Sequence, residues 1–181
     1  MAVFYEAQPK QLKFHSATAD EVLYGGAAGG GKSYAIIWDA VLKCLTYKKI
    51  RVAIFRRTYP ELEKSIIFEF LMNVPNDWFK YGKQEKRVIF NKTGSVIEFC
   101  HCQFKEDIFR FQSAQYDFIY IDELTHWTEW MYRYLLSRNR TARTDIKPQM
   151  KCASNPGGVG HEFVRSRFID GAIPFELTDR I

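Results

Sequence analysis

Residues 26–33, Gly26-Ala27-Ala28-Gly29-Gly30-Gly31-Lys32-Ser33, constrain this chain more than any other stretch. They satisfy the pattern G-x-x-x-x-G-K-[ST], and their surroundings fit it. Glu21-Val22-Leu23-Tyr24 reads as a short strand entering the glycines, and residues 32–46 carry Ile36, Ile37, Ala40, Val41, Leu42 and Leu45 at helical spacing. The composition has a chemical reason. Backbone N–H groups must turn inward around a polyphosphate, which demands unusual backbone angles and little side-chain bulk. The helix starting near Lys32 aims its positive end at the same anion. Lys32 then supplies a point charge to the β- and γ-phosphates, and the Ser33 hydroxyl is a ligand for Mg²⁺. All eight residues are therefore expected to bind nucleotide.

The remaining elements set the fold class. Arg51 to Phe55 is a compact apolar run, read as a buried strand. Thr58-Tyr59-Pro60-Glu61 opens a helix, with Thr58 as its cap, that should stop before Pro75. Arg87 to Phe90 and Ser95 to Phe99 flank Asn91-Lys92-Thr93-Gly94 as a β-hairpin. A wholly apolar strand covers Phe118 to Ile121, a helix Glu129 to Leu136, a strand Gln149 to Ala153, and a final helix His161 to Phe168. Strands alternate with helices, which predicts an α/β fold with a mainly parallel central sheet flanked by helices and an inserted hairpin. With the phosphate loop, this is a P-loop NTPase of the RecA-like type.

The bulk numbers agree with one domain spanning residues 1–181. Hydrophobic residues make up 46% and charged residues 26%, as in ordinary globular proteins. No apolar run reaches the roughly 20 residues of a membrane span, and the first residues lack the layout of a signal peptide. The expected location is a cytoplasm. Four scattered cysteines make no disulfide framework, and Cys100-His101-Cys102 is too tightly spaced for the usual zinc ligand pairs. The net charge of +5 makes a polyanionic partner plausible. Arg133, Arg138, Arg140, Arg143, Lys147 and Lys151 lie close together with only Asp145 opposing them.

Two further groups carry chemistry. Asp122 and Glu123 follow the apolar strand ending at Ile121, where a parallel sheet opens onto its ligand crevice. Asp122 is expected to hold Mg²⁺ and Glu123 to polarise the attacking water. A metabolite kinase has less need of the second carboxylate, so the pair favours hydrolysis over phosphoryl transfer. Ser154 and Asn155 sit at the tip of the next strand, where a polar side chain can sense the γ-phosphate. Asn155-Pro156-Gly157-Gly158 is also strong turn chemistry, and both roles are compatible.

Taken together, these residues resemble the ATPase domain of the large terminase subunit of tailed bacteriophages. The resemblance rests on Pro9-Lys10-Gln11, Leu23 to Ser33, Phe55-Arg56-Arg57-Thr58-Tyr59-Pro60-Glu61-Leu62, Ile119 to His126 and Ser154-Asn155-Pro156, and covers roughly residues 11–170. It implies ATP hydrolysis that drives double-stranded DNA into a procapsid. The implied partners are a portal protein and a small terminase subunit, with self-association into a ring. It further implies that Gln11 contacts adenine, that Arg56 and Arg57 lie near the nucleotide, and that Ser154 and Asn155 couple hydrolysis to motion. Many relatives carry an arginine in the phosphate loop, where this chain has Ala28. A neighbouring subunit is one source of the missing charge: Arg110 is the first candidate for an inter-subunit finger, with Arg138 and Arg140 behind it. No carboxylate cluster of the family's nuclease domain follows Asn155, so DNA cutting is not expected. A RecA-like helicase or other DNA-dependent translocase remains the nearest alternative, followed by a metabolite kinase and a non-enzymatic nucleotide switch.

Overall fold

The computed structural model describes residues 4–26, 29 and 31–170. Its framework is one seven-stranded sheet in the order β1-β7-β6-β2-β5-β4-β3. The strands are β1 (Glu21–Gly25), β2 (Arg51–Arg56), β3 (Phe79–Gly82), β4 (Arg87–Phe90), β5 (Val96–His101), β6 (Phe118–Ile121) and β7 (Gln149–Ser154). The first five in spatial order run parallel; β4 and β3 are antiparallel additions at one margin. The expected hairpin is therefore β4–β5, but it is not a separate insertion. Its second arm pairs directly with β2 and extends the main sheet. Strand β3 was not expected from the sequence, being four residues long and half exposed along its length.

Both sheet faces are covered, which explains the unbroken apolar runs. Val52, Ile54 and Tyr120 face a core built with Ile36, Ile37, Val41 and Phe70, while Ala53, Phe55, Ile119 and Ile121 face Trp127, Met131, Tyr132 and Leu135. Helix α2 (Lys32–Thr46) lies on the first face and α5 (Glu129–Leu136) on the second. Thr58 caps the next helical segment by accepting from the Glu61 N–H, as expected. That segment runs as α3 (Tyr59–Leu62), a π-helical turn (Glu63–Ile67) and α4 (Phe68–Asn73), and stops before Pro75. Helix α6 (His161–Arg165) follows the last strand.

Helix α1 (Pro9–Ser16) is joined to the sheet by a buried polar cluster. Asp39 of α2 accepts from His15 Nδ1 at 2.8 Å and from the Tyr120 hydroxyl at 2.5 Å, and pairs with Lys151 Nζ at 3.2 Å. Lys151 also donates to the Phe14 carbonyl at 2.7 Å. Grouped by sequence with the basic surface run, Lys151 is in fact 1% exposed and belongs to the interior. Its charge is tolerable there because a carboxylate and a carbonyl answer it.

Candidate active site

The phosphate loop joins β1 to α2. Gly26, Gly29 and Gly31 adopt positive φ angles of 146°, 82° and 64°, which lets the loop curl back on itself. Lys32 Nζ reaches back 3.2 Å to the Gly26 carbonyl. Ala27, Ala28 and Gly30 lie outside the described residues. Gly31 also admits a close neighbour: a Cβ there would stand 2.8 Å from Gln11 Nε2.

Gln11 is buried, not an exposed helix-start residue. Its amide donates to the Gly31 carbonyl at 3.1 Å, and its Oε1 accepts the Gln8 N–H at 2.9 Å. The Tyr5 hydroxyl lies 3.4 Å from Oε1 and 2.7 Å from His15 Nε2, so α1 is held against the start of the phosphate-loop helix.

The sheet order brings the acid strand to this loop. Strand β7 separates β1 from β6, and α2 spans the gap, so Ser33 meets Asp122 across the end of the sheet. Ser33 Oγ donates to Asp122 Oδ2 at 3.0 Å. The same oxygen accepts from Arg56 Nη1 at 2.7 Å, and Arg56 is tethered by Ser65 Oγ at 2.8 Å on the π-helical turn. Asp122 is 2% exposed. Burial pushes its carboxyl above the ordinary range, against the opposing pull of Arg56 and the Ser33 hydroxyl. A hydroxyl and a carboxylate facing each other beside a phosphate loop form a hard-oxygen donor set that suits Mg²⁺.

Glu123 is half-buried, and its backbone is left-handed at φ 52°, ψ 55°, uncommon for any residue but glycine. Asn155 Nδ2 holds its carboxylate at 3.1 and 3.3 Å, while Asn155 Oδ1 is buried without a hydrogen-bond partner. Below that contact, the Ser154 hydroxyl accepts the Thr125 N–H at 3.0 Å and Thr125 Oγ1 donates to the Asn155 carbonyl at 3.0 Å. The turn after β7 packs so closely here that a Cβ on Gly158 would lie 2.5 Å from the Thr125 carbonyl oxygen. Thr125 thus ties the tips of β6 and β7 together. Sequence reading gave it no role; its position two residues after Glu123 was the available signal.

Arg57 and Arg110 lie apart from the phosphate loop, the second as a residue expected to act on a neighbouring subunit must. Arg57, assigned to nucleotide binding, donates to the Cys102 and Gln103 carbonyls at 2.6 and 2.7 Å and lies over the Trp127 ring. The structure brings Arg56 to the acid pair instead, because successive side chains leave a strand on opposite faces. Arg110 is half exposed and donates to the His101 carbonyl at 2.9 Å, with Asp107 Oδ1 at 3.6 Å. It joins none of the residues around the phosphate loop. Of its flanking phenylalanines, Phe111 packs on Phe55 and Phe109 sits outside, against Trp130 and Tyr134.

A phosphate loop, a buried acid and hydroxyl for a metal, and a second acid held by the intervening strand define a P-loop nucleotide-binding domain of the ASCE type. The family described as terminase large subunit, T4likevirus-type, N-terminal, matches residues 23–166, and the chain belongs to it. Among solved structures, the large terminase of thermophilic bacteriophage D6E is 14% identical with a TM-score of 0.75, over 90% of this chain and 42% of that one. The D6E protein is also known in complex with ATP-gamma-S and with ADP. The ATPase domain of the Thermus phage P74-26 large terminase is 20% identical, TM-score 0.60, covering 94% of this chain and 74% of that one. The N-terminal domain of the phi29 DNA packaging ATPase is 17% identical, TM-score 0.55, covering 97% and 85%. The chain therefore spans about two fifths of the D6E protein. A search of curated protein sequences found no match. No helix among the described residues is long and apolar enough to cross a membrane.

Proposed function

We propose that this chain is the Mg²⁺-dependent ATP-hydrolysing part of a DNA-packaging motor, driving double-stranded viral DNA into a procapsid in the host cytoplasm. The observation that carries this reading is the Glu123 carboxylate, set beside Asp122 and held by Asn155 from the neighbouring strand. Lys32 and the loop amides bind the β- and γ-phosphates. Ser33 and Asp122 hold Mg²⁺, which when bound supplies positive charge to the phosphate oxygens. Glu123 orients and deprotonates the attacking water, and Gln11 faces the base. Arg110 of a neighbouring subunit supplies further charge once a ring has formed. Asn155 and Ser154, linked through Thr125, report the state of the γ-phosphate. The portal protein and the small terminase subunit are the partners of this motor, and nuclease chemistry is no part of the role assigned to residues 1–181. D6E terminase complexes with ATP-gamma-S and ADP support the choice of nucleotide.

The test is ATP turnover with and without linear duplex DNA, alongside packaging into portal-bearing capsids. Turnover stimulated by duplex, without strand separation, is the expected result. Unwinding of the duplex would point to a helicase, and phosphate transfer to a metabolite to a kinase.

A further inference from the structure

The excess positive charge of this chain gathers at one end of the sheet, and it is the end away from the phosphate loop. The connections entering the five parallel strands cover residues 17–20, 47–50, 91–95, 112–117 and 137–148. They contain seven cations (Lys48, Lys49, Lys92, Arg138, Arg140, Arg143, Lys147) against three acids (Asp20, Asp117, Asp145), which accounts for most of the chain's net +5. All three acids are engaged: Asp20 by Lys147 at 2.7 Å, Asp145 by Arg143 at 2.6 Å, and Asp117 by the Arg51 N–H at 2.8 Å. Lys48, Lys49, Lys92 and Arg140 are exposed, and none makes an ion pair among the described residues.

These connections are fastened to one another, so the charges are presented rather than dangling. The Lys49 N–H donates to the Thr93 carbonyl at 3.0 Å, and Thr93 Oγ1 donates to the Cys44 carbonyl at 2.7 Å. Arg143 donates to the Lys48 carbonyl, and the Arg140 N–H to the Tyr116 carbonyl at 3.1 Å. The rim crosses the four adjacent strands β7, β6, β2 and β5, about 14 Å at the usual strand spacing. That width is close to the roughly 12 Å major groove of a duplex, so phosphates of both strands fall within reach. The strands put the rim about 15–20 Å from Asp122 and the phosphate loop, at roughly 3.3 Å per residue, too far to serve the same nucleotide.

We propose that Lys48, Lys49, Lys92 and Arg140 form the surface on which this chain grips the phosphate backbone of double-stranded DNA; this rests on the DNA-translocating reading above. Recognition there is independent of base sequence, because long cationic side chains on loops meet phosphates and no helix enters a groove. A single strand fits less well. Of the rim's two aromatics, Tyr116 is buried edge-on to Phe55 and the half-buried Tyr47 is already stacked on Phe118, so neither is the fully exposed ring on which a base would stack.

The experiment measures affinity for a 30-bp duplex (about three helical turns) across a salt series by fluorescence anisotropy. Each lost phosphate contact lowers the slope of log affinity against log salt by about 0.9. The variant Lys48→Gln/Lys49→Gln/Lys92→Gln/Arg140→Gln is expected to lose about 3–4 from that slope, with at least a tenfold drop in affinity at low salt. Single substitutions should lose about 0.9 each, should the fourfold variant fold poorly. DNA-independent ATP turnover is expected to stay at the parental rate in Lys48→Gln/Lys49→Gln/Lys92→Gln, which leaves Arg140 intact. A control, Lys80→Gln/Lys83→Gln at the β3–β4 margin, should keep the parental slope. Unchanged binding in the rim variants, loss in the control instead, or tighter binding of the parent to single-stranded DNA of equal length would overturn the proposal. No duplex binding by the parental protein would overturn the translocating reading itself, so the two failures are separable.

Discussion

Asn155 donates its side-chain amide to both carboxylate oxygens of Glu123, at 3.1 and 3.3 Å, from the tip of the strand lying between the acid and the phosphate loop. The acid it holds has a left-handed backbone, a conformation costing a non-glycine residue on the order of 1–3 kcal/mol. Residues kept in such conformations are over-determined by their surroundings. Here Asn155 and the Thr125–Ser154 contacts do that work.

Replacing the base and replacing its holder should therefore differ in degree. Glu123→Gln keeps shape but loses the proton acceptor, so turnover should fall roughly 10²–10⁴-fold, with Mg·ATP affinity within about twofold of the parent. Asn155→Ala frees the carboxylate without removing it, and a loss of about tenfold is expected. Single-turnover hydrolysis and equilibrium binding of a fluorescent ATP analogue measure the two effects separately. Parental turnover in Glu123→Gln would remove it as the base.

Arg56 is the ion-pair partner of the buried Asp122 carboxyl, which otherwise has the uncharged Ser33 hydroxyl on the same oxygen. Arg56→Ala leaves Asp122 without its partner, and removing one member of a buried pair costs roughly 3–5 kcal/mol when the other stays charged. Because Mg²⁺ at Ser33 and Asp122 would restore positive charge, millimolar Mg²⁺ with nucleotide should raise the melting temperature of Arg56→Ala more than that of the parent. Equal shifts in the two proteins would show that Arg56 and the metal do not share a carboxylate.

The phosphate loop, the strand ending at Asp122 and the Thr58 cap were legible because each is written in contiguous residues. What required the fold was the outcome of pairing. Arg56 and Arg57 are indistinguishable in a sequence, and only the β2–β6 register, Phe55 beside Ile121, decides which one reaches Asp122. Lys151 reads as surface charge until Asp39 and Phe14, more than 100 residues earlier, are seen around it. Gln11 is named only through the family resemblance, and its burial against the Gly31 carbonyl depends on how α1 packs on the phosphate-loop helix. Strand β3 has too few residues to show a period, and it exists because β4 offers it an edge.

A ring-dependent arginine makes turnover depend on concentration. The chain alone should hydrolyse ATP slowly and accelerate as it assembles, since an arginine finger contributes about 10³–10⁵ in rate. Arg110 is satisfied by carbonyls of its own subunit, so a role in trans requires those contacts to open. Mixing Glu123→Gln with Arg110→Ala should recover activity at interfaces where an intact arginine meets an intact base. No recovery in a demonstrably mixed ring would exclude Arg110 and pass the test to Arg138 and Arg140.

Acid should loosen α1 from the sheet. Burial alone would push the Asp39 carboxyl up, but hydrogen bonds from His15 and Tyr120 and the charge of Lys151 bring it below its ordinary value. A carboxyl depressed in the folded state adds stability above its unfolded pKa of about 3.9, and loses it as pH falls toward the folded value. Asp39→Asn should be less stable at neutral pH, with a shallower decline in stability below about pH 4. Urea melts between neutral and acid pH test this; identical acid limbs in the two proteins would rule the cluster out.

Strand order also sets a timetable for synthesis. Among the described residues β1 has a single sheet neighbour, and that neighbour is β7. The strand that feeds the phosphate loop leaves the ribosome more than 100 residues ahead of its partner, so residues 149–154 must emerge before its N–H and C=O groups can pair. Through that interval it is an open edge, the kind of surface on which nascent chains pair wrongly or recruit chaperones. A ribosome stalled before the codon for Gln149 would thus display a chain whose β2, β5 and β6 can associate while its nucleotide loop still hangs from an unpaired strand.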